Sequence, residues 1–410
     1  MSALSVHAAV INSTWIGSDF GSWGTSGNWS PSGVPNNGGA DAYNVSIAPS
    51  GGGIHNIQLD LSPTINDFTF GGDSATPRIR GAVGSSGDQS LTVNGLFVWH
   101  SGTLSSSFVA IDYNVNGGGM LDSTSDVALE GGFITRFILD GFSTFTHSGS
   151  GSVVFTDDVF FNIRAGSAWE NTASGGFGAT SPSPFVLNEG TFRKMTSSGT
   201  AAINTYFENL GTVSVEAGTL SFARTYSQSG GILDLNGGNV HSTLGLFIGG
   251  GLVTGSGSIT GGGLQLGSAT VAPGHSAGTL TLSSLSANAS STFSIELGGL
   301  TAGLQYDQIQ VTGTATVNGN LNVVFINGFE NSITTGDAFS LVSAAGGLNG
   351  TFTGLPDGAV FTVNGIPFEA DYTPNEFILT VVPEPTTYAT LTGIGLTAFA
   401  ALRRAVMHRR

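Results

Sequence analysis

Apolar and polar positions alternate along this chain in short runs that end at glycine. Leu91-Thr92-Val93-Asn94-Gly95, Val127-Ala128-Leu129-Glu130-Gly131-Gly132 and Ile232-Leu233-Asp234-Leu235-Asn236-Gly237-Gly238 show the pattern. Alternation at period two puts every second side chain on one face of a strand, and Asn-Gly or Gly-Gly between runs supplies the turn. Residues 76–280 are dominated by such runs, which predicts short strands stacked coil upon coil. A loose repeat of Gly-Thr before an apolar residue marks Gly102, Gly190, Gly211, Gly218, Gly278 and Gly350. The step from Gly190 to Gly211 has the length of one coil, but the other steps are irregular, so the solenoid is degenerate.

The flanks differ. Residues 10–75 alternate tight turns with short strands and carry Trp15, Trp23 and Trp29. Three aromatic residues this close read either as a sugar-stacking platform or as an end cap, and a solenoid end needs covering. Residues 281–381 hold longer strands, such as Phe293-Ser294-Ile295-Glu296-Leu297 and Phe377-Ile378-Leu379-Thr380-Val381. Asn318-Gly319 has the composition of a hairpin turn, which predicts an antiparallel β cap over the last edge. Residues 1–9 read as the remnant of a signal peptide, with Ser5-Val6-His7-Ala8-Ala9 as its small-residue end.

The pattern breaks at the C-terminus. Val382-Pro383-Glu384-Pro385 precedes an apolar run from Thr387 to Leu402, and Arg403, Arg404, Arg409 and Arg410 follow. A short helix over about 386–402 is expected, able to enter a bilayer, with the arginines as the cytoplasmic stop. Sixteen residues span about 24 Å, short of the roughly 30 Å hydrocarbon core, so the run suits a transient membrane segment better than a permanent anchor.

Composition narrows the function. The chain has 410 residues, of which 64 are Gly, only 9% are charged and none is Cys. Glycine disfavours helices, while an apolar share of 40% argues against disorder throughout. A disulfide framework and thiolate metal sites are excluded. The tail takes one of the 27 acids and four of the 11 bases, leaving residues 1–382 with a net charge near −19. Seven scattered cations do not build a nucleic-acid groove.

Candidate chemistry is sparse. Asp157 and Asp158, with Arg164 nearby, are the best local acid cluster, yet adjacent strand residues point to opposite faces. A solvated turn explains them. The His residues show no metal-ligand spacing, and no cofactor is expected. Gly117-Gly118-Gly119 and Gly255-Ser256-Gly257-Ser258 read as corners, as does the Pro273-Gly274-His275-Ser276 turn. Thr279 and Thr281 share a face, a start toward a flat ice- or ligand-binding lattice but no more than any strand shows.

The tail resembles the PEP-CTERM sorting signal of Gram-negative bacteria, which implies recognition of Val382 to Pro385 by an exosortase-type enzyme. Residues 188–280 resemble the β-helical stalks of autotransporter-type adhesins. Together these imply an all-β chain: a right-handed parallel β-helix with an antiparallel C-terminal cap and one short transmembrane helix. The expected boundaries are 10–75, 76–280, 281–381 and 382–410. The expected function is a non-enzymatic, exported cell-surface or matrix protein, at least transiently single-pass in the inner membrane and possessing extracellular polysaccharide as a candidate partner. The alternatives are a polysaccharide-degrading enzyme on a β-helix and a carbohydrate- or ice-binding surface protein.

Overall fold

The computed structural model describes residues 9–39, 41–50, 53–72, 76–85, 87–196 and 198–383. The fold is all-β, with 55% strand, 2% helix and a β-solenoid of about 11 turns. The chain divides into two compact units, residues 1–269 and 270–410.

In the first unit each coil contributes strands to three parallel ladders. One coil is Ala168–Asn171, Phe177–Ala179 and Phe185–Asn188; the next is Thr191–Lys194, Thr200–Ile203 and Tyr206–Asn209. Their partners lie in register, Trp169 beside Phe192 in the first ladder and Val186 beside Phe207 in the third. Phe177 beside Ile203 marks the second. Each added coil therefore places its apolar side chains directly over those of the last.

That stacking makes the core. Phe145 and Trp169 are ladder partners whose rings stack at 5.1 Å and 3°. Phe137 and Phe161 do the same at 5.0 Å and 10°. All four are fully buried. Such pairs add about 0.5–1.5 kcal/mol each beyond the burial of their area. Coil length varies: Phe68 and Phe97 are partners 29 residues apart, Val213 and Leu233 only 20. Surplus residues leave at the corners. Where the corner is nearly absent, one strand serves two ladders, as in Val127–Leu139 and Ile232–Ser242, each with a register shift where it bends.

Parallel pairing starts well before residue 76. Val10–Trp15 lies beside Ala42–Ile47 in parallel, while its end pairs antiparallel with Trp29–Ser30. Trp15, Trp23 and Trp29 are buried. Trp29 packs edge-on against both others, at 5.0 and 4.8 Å, and its indole N–H donates to the Trp23 carbonyl.

The second unit begins as a parallel stack as well. Thr292–Leu297 pairs in parallel with Asn320–Phe325, and Leu285–Ala287 with Ala315–Thr316. Asn318-Gly319 is therefore a corner between ladders, and the hairpin expected there does not form. Gly319 has φ 84°. The left-handed geometry that suits Asn-Gly to a hairpin also suits a solenoid corner, so the dipeptide alone does not choose. Ala338–Ala344 is the switch: it pairs in parallel with Gln308–Val311 and antiparallel with Glu376–Val381. Beyond it Ile366–Tyr372 and Ala359–Val363 complete an antiparallel meander. Its hairpin turn is Asn364-Gly365, with φ 49° and 84°, the signature of a two-residue primed turn.

Among the described residues no helix is long and apolar enough to cross a membrane. The helix expected over 386–402 lies outside them.

Candidate functional site

Of the sequence-predicted sorting residues, Val382 and Pro383 are described; Glu384, Pro385, Arg403, Arg404, Arg409 and Arg410 lie outside the described residues. The last strand, Glu376–Val381, is central in the meander, flanked by Ala338–Ala344 and Ile366–Tyr372. The Val382 N–H donates to the Pro367 carbonyl at 3.0 Å, and the Gly336 N–H donates to the Val381 carbonyl at 2.8 Å. The chain is held to the sheet up to the residue before Pro383. Proline has no N–H to continue the ladder, and it restricts the residue before it to extended geometry. The motif therefore starts where the sheet stops.

The candidate catalytic acids do not converge. Asp157 and Asp158 are both exposed at a corner, Asp157 with φ 57°. Arg164 lies beyond the far end of the same strand and pairs with Asp140 at 3.2 Å. Thr279 and Thr281 face outward, but their neighbours in the next coil are Gln308 and Gln310, so the threonine row does not continue in that direction.

Surface clefts open in the first unit, two of them among the described residues large enough to consider. One, of about 550 Å³, runs along the corner between the first and second ladders, lined by His100, Asp122, Asp126, Ser101, Ser123 and Ser125 among others. His100 Nδ1 and Asp122 Oδ1 are 2.7 Å apart. Ser123 Oγ donates to the Ser125 carbonyl, and Asp126 accepts from the Ser152 N–H. These side chains are turned back to brace corners, and no serine hydroxyl hydrogen-bonds the imidazole among the described residues. The second, of about 470 Å³, lies between the second and third ladders around Tyr206 and Arg224.

Buried polar residues form a third feature, which the sequence reading did not single out. His147, Asn171 and Lys194 occupy one inward position on successive rungs of the first ladder, all fully buried. The His147 imidazole sits edge-on to Trp169 with Nε2 2.8 Å from the Gly151 carbonyl. Burial holds its pKa down to about 4, against the opposing pull of that carbonyl. In the second unit Asp307 is buried, and its two oxygens accept the Gly278 and Glu296 N–H groups at 2.8 Å each. Burial nonetheless pushes its carboxyl up to about 7, outweighing both hydrogen bonds. Among the described residues no group of three His, Asp or Glu could hold a metal ion.

Compared with known proteins, the sequence matches no family model and no curated protein.

Proposed function

We propose that this chain is an exported, non-enzymatic structural or adhesion protein of the bacterial cell surface or extracellular matrix, delivered by its C-terminal tail. On this reading an exosortase-type enzyme recognises Val382-Pro383-Glu384-Pro385 while residues 386–402 cross the inner membrane as a short helix and the four arginines stop at its cytoplasmic face. The solenoid is right-handed, as nearly all crossover connections between parallel strands are.

The observation that carries the reading is the exit of the chain. Val382 is still hydrogen-bonded to the sheet through Pro367, and the motif follows with no spacer. On this reading the motif adjoins the folded body directly, and a membrane-embedded enzyme meets it there. The rest of the body suits a structural role. Its core is a stack of rings and aliphatic side chains that needs no disulfide in an oxidising environment. A polysaccharide-degrading enzyme would ask for several acids gathered in a groove. Asp157 and Asp158 are exposed at a corner, and of the two acids lining the larger cleft Asp122 pairs with His100 while Asp126 accepts the Ser152 N–H.

Alanine at positions 383, 384 and 385 tests this. Export continues and unprocessed protein accumulates in the inner membrane with its tail attached; maturation like that of the wild type would make the tail a plain anchor.

A further inference from the structure

We propose that the cleft at Tyr206 and Arg224 is a binding site for neutral glycan chains. The cleft comes from a change in corner length. Between Phe177–Ala179 and Phe185–Asn188 the chain runs through Thr180-Ser181-Pro182-Ser183-Pro184, but between Thr200–Ile203 and Tyr206–Asn209 only Asn204 and Thr205 intervene. The short corners that follow leave a step of about 470 Å³ beside the long one, lined by Ala179, Asn204, Tyr206, Arg224, Thr225 and Leu244.

The step has one aromatic residue in its lining, Tyr206, at the end of an outward aromatic row. Phe207 points into the core, so Tyr206 points out, and it is 40% exposed. Phe160, Phe185 and Tyr206 occupy the same outward position on three successive rungs, and Phe160 and Phe185 stack at 5.6 Å and 15°. Rungs are spaced by about 4.8 Å, close to the advance of one sugar ring along an extended glycan. A chain lying along the ladder would pass one outward aromatic side chain per rung.

Outward aromatic residues are common on strands, so the row alone is not a site. Arg224 is the second observation. Its guanidinium lies over the Tyr206 ring at 5.7 Å. Residues 1–382 hold 26 of the chain's acids against seven bases, and Arg78, Arg136, Arg164 and Arg193 each hold a carboxylate. Arg224, like Arg80, makes no ion pair or side-chain hydrogen bond among the described residues, and unlike Arg80 it lines the cleft with its planar fork of donors. Asn204 and Thr225 add donors and acceptors beside it. A polyanion would be repelled by the acidic body, and Glu208 stands two residues from Tyr206 on the same outward side. A neutral sugar fits: its apolar side on the face of Tyr206 that Arg224 does not cover, its hydroxyls on Arg224, Asn204 and Thr225.

This names a partner class for the matrix reading and rests on it only for where the glycan is met. The test is affinity electrophoresis of the full chain in mild detergent, through gels containing hydroxyethylcellulose, dextran or galactomannan, with polygalacturonate as the polyanion arm. At least one neutral polymer retards the wild type, and Tyr206→Ala weakens that retardation by roughly tenfold or more. Arg224→Gln weakens it also, and serves alone should Tyr206→Ala lose its β signal in circular dichroism. Retardation by none of the neutral polymers, by polygalacturonate alone, or to the same extent in the folded variants would overturn the proposal. The variant with alanine at 383–385 binds like the wild type, so failure of the sorting reading leaves this result intact.

Discussion

The side-chain amide of Asn188 donates to Asn209 Oδ1 at 2.8 Å, one coil further along the stack, with both residues fully buried. Asn209 repeats the gesture, donating to Gln228 Oε1 at 3.0 Å and to the Ile232 carbonyl at 3.0 Å. Gln228 in turn donates to the Leu252 carbonyl and accepts from the Tyr226 hydroxyl. The ladder begins at Asn188, whose rung neighbour on the other side is Ile163 and whose Oδ1 has no partner. These amides tie each coil to the backbone of the next, where an apolar core would fix only their distance.

Asn209→Leu should therefore destabilise the protein despite its similar volume. It leaves the Ile232 carbonyl without its side-chain donor and takes a partner from Asn188 and from Gln228. Each buried polar group left unmatched costs about 1–3 kcal/mol, so a loss of about 2–4 kcal/mol is expected in denaturant unfolding. A change below about 0.5 kcal/mol would mean that the ladder is not structural.

Gly211 stacks on Gly190, and Gly231 on Gly211. A Cβ at Gly211 would lie 2.1 Å from the Gly190 carbonyl oxygen, and one at Gly231 the same distance from that of Gly211. Backbone packs against backbone at this corner. Gly211→Ala should cost about 1–3 kcal/mol through overpacking, readable as a lowered thermal midpoint, whereas Gly230→Ala, with open space at its Cβ, should cost less.

Two buried groups give opposite pH dependences. His147 titrates near 4 in the fold and near 6.5 when unfolded. Between those values only the unfolded chain binds the proton, so stability present above pH 6.5 is lost as pH falls toward 4, by up to about 3 kcal/mol. His147→Gln should flatten that slope in unfolding measured from pH 7 to 4.

Asp307 works the other way. Its carboxyl titrates near 7 in the fold and near 3.8 unfolded, so the folded state holds the extra proton and stability falls as pH rises from 3.8 through 7, by up to about 4 kcal/mol. Asp307→Asn should remove this slope. It should also lower stability at acid pH, since an amide offers one oxygen where two N–H groups need acceptors. An unchanged slope would show that the carboxyl is not held protonated.

Fold class was legible in the sequence because period two and glycine punctuation survive any stacking scheme. The repeat was harder to see. Gly190 and Gly211 precede first-ladder strands, Thr191–Lys194 and Thr212–Val215, whereas Gly102 and Gly218 precede second-ladder strands, Thr103–Ser105 and Thr219–Phe222. Mixing two corners made the intervals irregular. Strand direction in 281–325 was not legible, because a half-buried strand alternates alike in parallel and antiparallel pairs. The buried ladder did leave a trace, Asn188-Glu189-Gly190-Thr191 and Asn209-Leu210-Gly211-Thr212, in which the amide and the glycine keep one spacing. Tyr206 and Arg224 left none, since their meeting depends on how long each corner is.

The tail carries the central claim, and its fate is measured most directly by mass spectrometry of the C-terminus of the mature protein recovered from its native host. The expected last peptide ends at or near Val382–Pro385, with Arg403, Arg404, Arg409 and Arg410 gone. A mature, extracellular protein whose last peptide still ends at Arg410 would contradict it.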